Sequence, residues 1–216
     1  MDVNASEKEQ IETLKKWWKE NGSSLITGAL LGLSLLFGGK AWVNWKDTQA
    51  QNASNVYTHM QSALKQNDIE TARSQANDLI SNHTGSGYAP LAALILARLA
   101  IQDGEIAAAQ GQLEWALEHA RTPQFEHIAR SRLVRVLIDQ KEYAQAEAVL
   151  ADIADVGQYR YIYTELHGDL AFAKGETERA AVAYRDALAT LPAQAPNAAY
   201  LRVKYENLAG ADALPQ

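Results

Sequence analysis

The chain has 216 residues, a formal net charge of −6 and no cysteine. This length is sufficient for a domain with a sizeable core, and 47% of the residues are hydrophobic. The acidic balance argues against nucleic acid as a partner, because phosphates require a basic surface. The lack of cysteine is compatible with either an oxidising or a reducing compartment.

Residues 1–20 are predicted to form a cytoplasmic leader that is partly an amphipathic helix. The segment Ser6-Glu7-Lys8-Glu9 has the S-x-x-E form of a capping box, which predicts a helix start at Ser6. Apolar residues then recur at helical spacing among charged ones, at Ile11, Leu14, Trp17 and Trp18. Such a helix either lies along the membrane interface or is a short solvated helix without a partner.

The stretch 21–39 contains no charged residue and predicts a transmembrane helix over 21–43. As a helix, this stretch would cover roughly 28 Å, comparable to the hydrocarbon core of a lipid bilayer. Tryptophans, which favour the headgroup level, flank it on both sides, at Trp17, Trp18, Trp42 and Trp45. A cleaved signal peptide and a buried core helix are the alternatives. The stretch is longer than the apolar region of a signal peptide, and no A-x-A pattern follows it.

The lysines around the predicted span give its expected orientation. Lys15, Lys16 and Lys19 lie just before the span, against Lys40 and Lys46 after it. Because the more positive side of a span stays in the cytoplasm, we expect the N-terminus inside and the C-terminal domain outside.

Small residues recur every four positions within the span, at Ser24, Gly28 and Gly32. At that spacing they form a stripe on one helix face, against which a second helix can pack closely. The stripe is therefore a candidate span-to-span interface. The alternative is that these residues have no such role, since glycine is frequent in membrane helices.

From residue 44 to 210 the sequence predicts an all-α domain, followed by a frayed tail at 211–216. Alanine-rich helical patterns alternate with short turn signals, and no stretch has the alternation of a strand. Nine helices are predicted, and their short connections favour antiparallel pairs. Their bounds are 48–66, 69–81, 88–102, 105–120, 123–140, 143–153, 158–174, 177–191 and 196–209.

An internal repeat runs through this domain. Its clearest copy places small, aromatic and proline residues at the spacing of a 34-residue unit, at Gly168, Gly175, Ala180, Tyr184, Ala187 and Pro192. Weaker copies align on Ala72, Ala109 and Ala146, so that successive alanines, ending at Ala180, are 37, 37 and 34 residues apart. This pattern is typical of a tetratricopeptide-like α-solenoid of helix hairpins, and we expect the helix 196–209 to cap its open end.

No pattern of catalytic or metal-binding residues stands out in the sequence. The five histidines are scattered without a metal-ligand spacing, at His59, His83, His119, His127 and His167. The segment Gly85-Ser86-Gly87 lacks the glycine and lysine that complete a phosphate-binding loop. We therefore expect a protein that is not an enzyme and that has no cofactor or metal.

Binding is instead expected on the concave face of the hairpin array, which the first helix of each pair lines. The repeat positions place aliphatic, aromatic and charged side chains there as candidate peptide contacts, at Leu94, Arg98, Ile101, Arg135, Ile138, Glu165 and Phe172. The alternative is that a terminal helix folds back and fills the groove, which would make these residues ordinary core.

Taken together, the chain resembles the YfgM-type ancillary subunits of the bacterial SecYEG translocon. The discriminating residues are the leader EKEQIETLKKWWKENG over 7–22, the glycine-spaced span and the exit Trp42-Val43-Asn44-Trp45. Two repeat segments add to the resemblance, over 129–150 and 164–188. Repeat segments alone match many unrelated proteins.

The resemblance implies a single-pass protein of the bacterial inner membrane, with its N-terminus cytoplasmic and its C-terminal domain periplasmic. It implies SecYEG, the lipid bilayer and a membrane-anchored periplasmic chaperone of the prolyl-isomerase type as partners. The expected function is a non-catalytic module that helps pass emerging secreted polypeptides to periplasmic chaperones. The alternative is a self-assembling structural or scaffold protein of the cell envelope, with a regulatory role of the leader in the cytoplasm.

Overall fold

The computed structural model describes residues 3–153, 156–192, 195 and 197–209. Within these residues the structure contains nine α-helices, one short 3₁₀ helix at Gly157–Tyr159 and no strand, which confirms the predicted all-α fold. The α-helices are α1 (Val3–Lys65), α2 (Ile69–Asn82), α3 (Tyr88–Gln102), α4 (Ile106–Glu118), α5 (Pro123–Asp139), α6 (Tyr143–Ala151), α7 (Arg160–Ala173), α8 (Thr177–Ala189) and α9 (Ala198–Ala209).

The first helix differs from the prediction at two places. It begins at Val3 rather than at Ser6, and no new helix starts at Thr48, because α1 continues through that position to Lys65. The sequence between the predicted span and residue 66 contains no proline, so nothing in it forces the helix to stop. A capping-box pattern is a preference of roughly 1 kcal/mol, which does not prevent a helix from starting earlier.

The chain divides into two compact units, of which the first ends at Asn52 and the second begins at Ala53. In the first unit the apolar side chains point outward on all sides of the helix, and Leu35 is 77% exposed. Within the described residues, one helix is long and apolar enough to cross a membrane, over Glu9–Lys65. The rings of Trp42 and Trp45 lie 5.4 Å apart at the end of the predicted span.

The second unit consists of helix hairpins, and an equivalent turn joins the two helices of each hairpin. In each turn one residue adopts a left-handed conformation, at Asn67, Gly104, Lys141 and Gly175. The following backbone N–H donates to the carbonyl five residues earlier, at 2.9, 2.8, 2.8 and 2.9 Å. This is the Schellman arrangement, which ends the first helix of a hairpin and starts the second. The left-handed residues are 37, 37 and 34 residues apart, as the sequence repeat predicts.

The repeated alanines lie where the hairpin helices touch. Ala72, Ala109, Ala146 and Ala180 are each completely buried, and each donates its N–H to the carbonyl of the acidic residue four positions earlier. In the last hairpin Gly168 lies directly against the ring of Tyr184, so that an added Cβ would be 2.6 Å from Cδ1 of the ring. The small residues of the repeat therefore lie where the helices of a hairpin approach closely.

Polar bridges connect successive hairpins at equivalent positions. The residue after each of the first three repeated alanines bonds to the residue before the next left-handed turn residue. These bonds join Arg73 to Asp103, Gln110 to Gln140 at 3.0 Å, and Glu147 to Lys174 at 2.7 Å. The largest apolar core lies among α3 to α7, and the last hairpin has a separate cluster with α9.

Candidate functional site

Two adjoining grooves lie on the side of the second unit that the first helices of the hairpins line. The smaller has a volume of about 360 Å³ and lies between α3 and α5. The larger, about 530 Å³, lies among α5, α7 and α9. Arg135 lines both. We call the smaller one the arginine groove and the larger one the aromatic groove.

Three exposed arginines and several aliphatic side chains line the arginine groove. Arg98 comes from α3, and Arg132 and Arg135 come from successive positions on one face of α5. Leu94, Ile101 and Val136 also line it, and among the described residues no acidic side chain does. Burial, and then the charges of Arg135 and Arg98, lower the pKa of Arg132. The arginine groove therefore combines positive charge with apolar side chains.

Exposed apolar side chains line the aromatic groove. Phe172 is 53% exposed and Tyr200 is 64% exposed, although both face a concave surface. Ile138 from α5 and Val203 from α9 add to the apolar part of the lining. Large exposed apolar side chains in a concave surface are typical of a site that receives another apolar group.

A buried ionic network closes the far side of the aromatic groove. Lys204 on α9 donates to Glu165 Oε1 at 2.7 Å and to both carboxylate oxygens of Asp169, at 2.7 and 2.9 Å. Asn197 donates to the other oxygen of Glu165 at 2.8 Å, and the hydroxyl of Tyr184 donates to Asp169 at 2.8 Å. These bonds hold α9 against α7.

The surroundings of this network shift the pKa values of its members. Burial by itself lowers the pKa of Lys204, but the hydrogen bonds to Asp169 and Glu165 outweigh burial and raise it above the usual lysine value. Burial, and then the charge of Asp169, raise the pKa of Tyr184. Lys204 is therefore positively charged at neutral pH.

The structure places the predicted concave-face residues in three different settings. Leu94, Arg98, Ile101 and Arg135 line the arginine groove, while Ile138 and Phe172 line the aromatic groove with Arg135. Glu165 is only 2% exposed and is bonded to Lys204 of α9, and it lines neither groove. At Glu165 the terminal helix α9 covers this face, which is the alternative that the sequence leaves open.

Sequence reasoning missed Arg132 and the contribution of α9. Arg132 lies three residues before Arg135, one helical turn away, so helical spacing alone could have added it to the same face. Tyr200, Val203 and Asn207 of α9 line the aromatic groove. Their position depends on how α9 packs, for which the repeat pattern contains no signal.

Two histidines outside the grooves make internal contacts. Nδ1 of His127 lies 2.5 Å from the hydroxyl of Tyr163, and the ring of His119 stacks on Trp115 with centroids 3.9 Å apart. Burial raises the pKa of Tyr163 to about 12. In the part of the chain that the structure describes, no group of three metal-ligating side chains lies close enough to hold an ion.

The small-residue stripe of the first unit is open. A Cβ built at Gly28 or Gly32 would meet no atom within 4 Å, and Ser24 is exposed. By contrast, a Cβ at Gly22 would lie 3.2 Å from the ring of Trp18. The stripe has room for another helix, and its use as an interface stays a prediction.

The model of the family described as "Tetratricopeptide repeat-like domain" matches residues 15–210. Similar proteins include three that are each named "Ancillary SecYEG translocon subunit". The one from Escherichia coli K12 is 26% identical over 184 residues, 85% of this chain and 88% of its own length. That from Haemophilus influenzae is 27% identical over 178 residues, covering 82% and 85% of the two chains.

The third relative, from Neisseria gonorrhoeae, is 25% identical over 212 residues, covering 96% of this chain and all of its own. No solved structure matches the chain. The relatives carry the name of the group that the leader, span and exit resemble, which confirms that resemblance.

Proposed function

Because the chain belongs to the tetratricopeptide repeat-like domain family, we propose that it is a non-catalytic, membrane-tethered interaction module at the SecYEG translocon. The names of its relatives support the translocon as the place of action. The outward-facing apolar helix of the first unit supports tethering to a lipid bilayer.

The observation that carries the binding role is the pair of adjoining grooves in the second unit. Phe172 and Tyr200 present aromatic surface there beside the positive charge of Arg135. Helix-hairpin repeats bind extended or helical peptides through such concave faces. We infer that the grooves receive segments of other polypeptides.

The finer part of the proposal concerns what happens to those segments. We infer that the protein helps pass emerging secreted polypeptides to periplasmic chaperones, including a membrane-anchored chaperone of the prolyl-isomerase type. This role requires the grooves to lie outside the cytoplasm. The excess of lysines before the span supports that orientation.

A second candidate function is a self-assembling scaffold of the cell envelope. The open stripe at Gly28 and Gly32 favours it, because a second copy of the span could pack closely there. Under this alternative the span would associate with itself rather than with spans of the translocon.

Co-purification in mild detergent tests the proposed function. We expect the tagged full-length chain to recover translocon subunits and a periplasmic chaperone at reproducible ratios. A homogeneous homo-oligomer without translocon subunits would refute the proposal and favour the scaffold.

The same experiment with Gly28→Ile/Gly32→Ile tests the stripe. Two bulky side chains on that face should reduce recovery of whichever spanning partner packs there. Leu31→Ile/Leu35→Ile is the matched control, since these exposed residues have the same four-residue spacing without changing a small residue. Unchanged recovery with the glycine variant would exclude the stripe as an interface.

A further inference from the structure

We propose that the arginine groove binds an acidic polypeptide segment, with a large apolar side chain of that segment lying in the aromatic groove. The proposal rests on the proposed function, because it states the chemical class of segment that the same two grooves receive. The partner is identified by its carboxylates and its apolar residue, not by a particular protein.

Charge complementarity is the first argument. Arg98, Arg132 and Arg135 line one groove, yet the ion pairs of the described residues engage other arginines and none of these three. The chain as a whole carries six more negative than positive charges, so carboxylates are available elsewhere in it. These three arginines therefore line one groove without an ion-paired carboxylate among the described residues, although Asp139 and Asp169 line the adjoining groove with Arg135.

The three arginine charges repel one another across the groove. Arg132 has a pKa below the usual arginine value because of burial first, and then because Arg135 and Arg98 repel its charge. A bound carboxylate would relieve that repulsion. The planar guanidinium also matches a carboxylate with two parallel hydrogen bonds.

The apolar surface separates a peptide from other anions. Leu94, Ile101 and Val136 line the same groove as the arginines, and the adjoining groove presents Phe172 and Tyr200. A peptide supplies apolar side chains for this surface together with its carboxylates. A layer of lipid headgroups is flat and does not enter a concave groove, and a nucleic acid would meet the acidic remainder of the chain.

Two carboxylates line the aromatic groove, and they determine the orientation in which the segment binds. Asp169 is already bonded to Lys204 and Tyr184. Asp139 is exposed at the rim of the aromatic groove and would repel an acidic side chain placed there. We therefore expect the carboxylates of the segment to lie toward Arg98 and Arg132, and its apolar side chain toward Phe172.

The test is a titration of the full-length chain in detergent with two labelled peptides. One peptide carries glutamates next to a single phenylalanine, and the other carries lysines in place of the glutamates. We expect the acidic peptide alone to bind, and we expect its affinity to fall as salt is added. Arg98→Gln/Arg132→Gln should weaken it by about tenfold or more, through lost charge-assisted hydrogen bonds.

The control variant is Arg160→Gln. Arg160 is exposed at the start of α7 and lines neither groove, so its loss should leave peptide affinity unchanged. Circular dichroism of all variants checks that they remain folded, and the single variant Arg132→Gln replaces the double variant if the latter does not fold.

Several results would overturn the proposal. These are equal binding of the acidic and lysine peptides, equal weakening by Arg132→Gln and Arg160→Gln, or binding of an oligonucleotide or anionic lipid vesicle where the acidic peptide does not bind. The titration uses purified chain alone. Recovery of translocon subunits without acidic-peptide binding would therefore refute this inference and leave the proposed function standing. Acidic-peptide binding without recovery of translocon subunits would refute the proposed function and leave this inference standing.

Discussion

Gly168 determines how closely α7 and α8 approach, because its position leaves no room for a side chain. An added Cβ would lie 2.6 Å from Cδ1 and Cε1 of Tyr184 and 3.3 Å from Cβ of Ala183. The tyrosine cannot easily move away, since its ring is buried and its hydroxyl is bonded to Asp169. The last hairpin is therefore sensitive to a single methyl group.

We expect Gly168→Ala to lower the free energy of unfolding by about 1–2 kcal/mol, since the steric strain outweighs the better helix propensity of alanine. Gly111→Ala is the matched control. Gly111 lies within α4 with no atom within 4 Å of its added Cβ, so alanine there should stabilise by roughly 0.5–1 kcal/mol. Urea unfolding followed by circular dichroism measures both, and effects of the same sign would contradict the packing argument.

The sequence predicts the contact of Gly168 but not that of Lys204. Gly168, Ala180 and Tyr184 occupy fixed positions of one repeat, and the contacts between them are local to one hairpin. The bond from Lys204 to Glu165 joins residues 39 positions apart through three packed helices. Hydrophobic spacing contains no information about that distance, so the ionic network could only be found in the structure.

At the scale of the element, α9 is held against the last hairpin by an apolar cluster and by Lys204, which bonds to two carboxylates. Lys204 also lies over the rings of Tyr184 and Tyr200, 5.6 and 4.8 Å from their centroids. Because Glu165 is almost completely buried, it depends on Lys204 for a counter-charge and on Asn197 for a second hydrogen bond. The helix and the carboxylate therefore stabilise each other.

We expect Lys204→Met to destabilise the last hairpin by about 3–5 kcal/mol, because it leaves a buried carboxylate unpaired. The amides of α9 should then exchange hydrogen faster. Arg202→Met is the control, since Arg202 is exposed on the same helix. Unchanged exchange of α9 in Lys204→Met would show that the network does not hold the helix.

The pH dependence of this network follows from the raised pKa of Lys204. A base whose pKa is raised by folding stabilises the fold below its unfolded pKa, and that contribution disappears as the pH rises through the folded value. The effect of Lys204→Met should therefore be full at neutral pH and should diminish only in strongly alkaline solution.

At the scale of the whole molecule, the two units differ in whether their apolar side chains are exposed or buried. The first unit exposes leucine, phenylalanine and tryptophan, as a helix in lipid does. The second unit buries its apolar residues in three clusters and exposes charged groups, as a water-soluble domain does. The uncharged stretch of the sequence predicts a separate membrane-spanning segment, but the sequence does not predict that α1 contains residues of both units.

The lack of cysteine allows a direct test of orientation. We expect a membrane-impermeant maleimide to label Ser74→Cys in spheroplasts and to leave Gln10→Cys unlabelled until the membrane is opened. Both positions are exposed, one in the second unit and one in the leader. The opposite labelling pattern would place the hairpins in the cytoplasm and would contradict the proposed hand-off of secreted chains.

The four left-handed turns have a consequence for comparing distant relatives. Asparagine, glycine, lysine and glycine occupy equivalent positions, because the defining bond joins two backbone groups and no side chain. Substitutions can thus accumulate around a turn without moving it, so the helices should keep their pairing at the 25–27% identity seen here. An alignment anchored on residues 67, 104, 141 and 175 should place insertions and deletions between the turns and leave the bonded backbone segments unbroken.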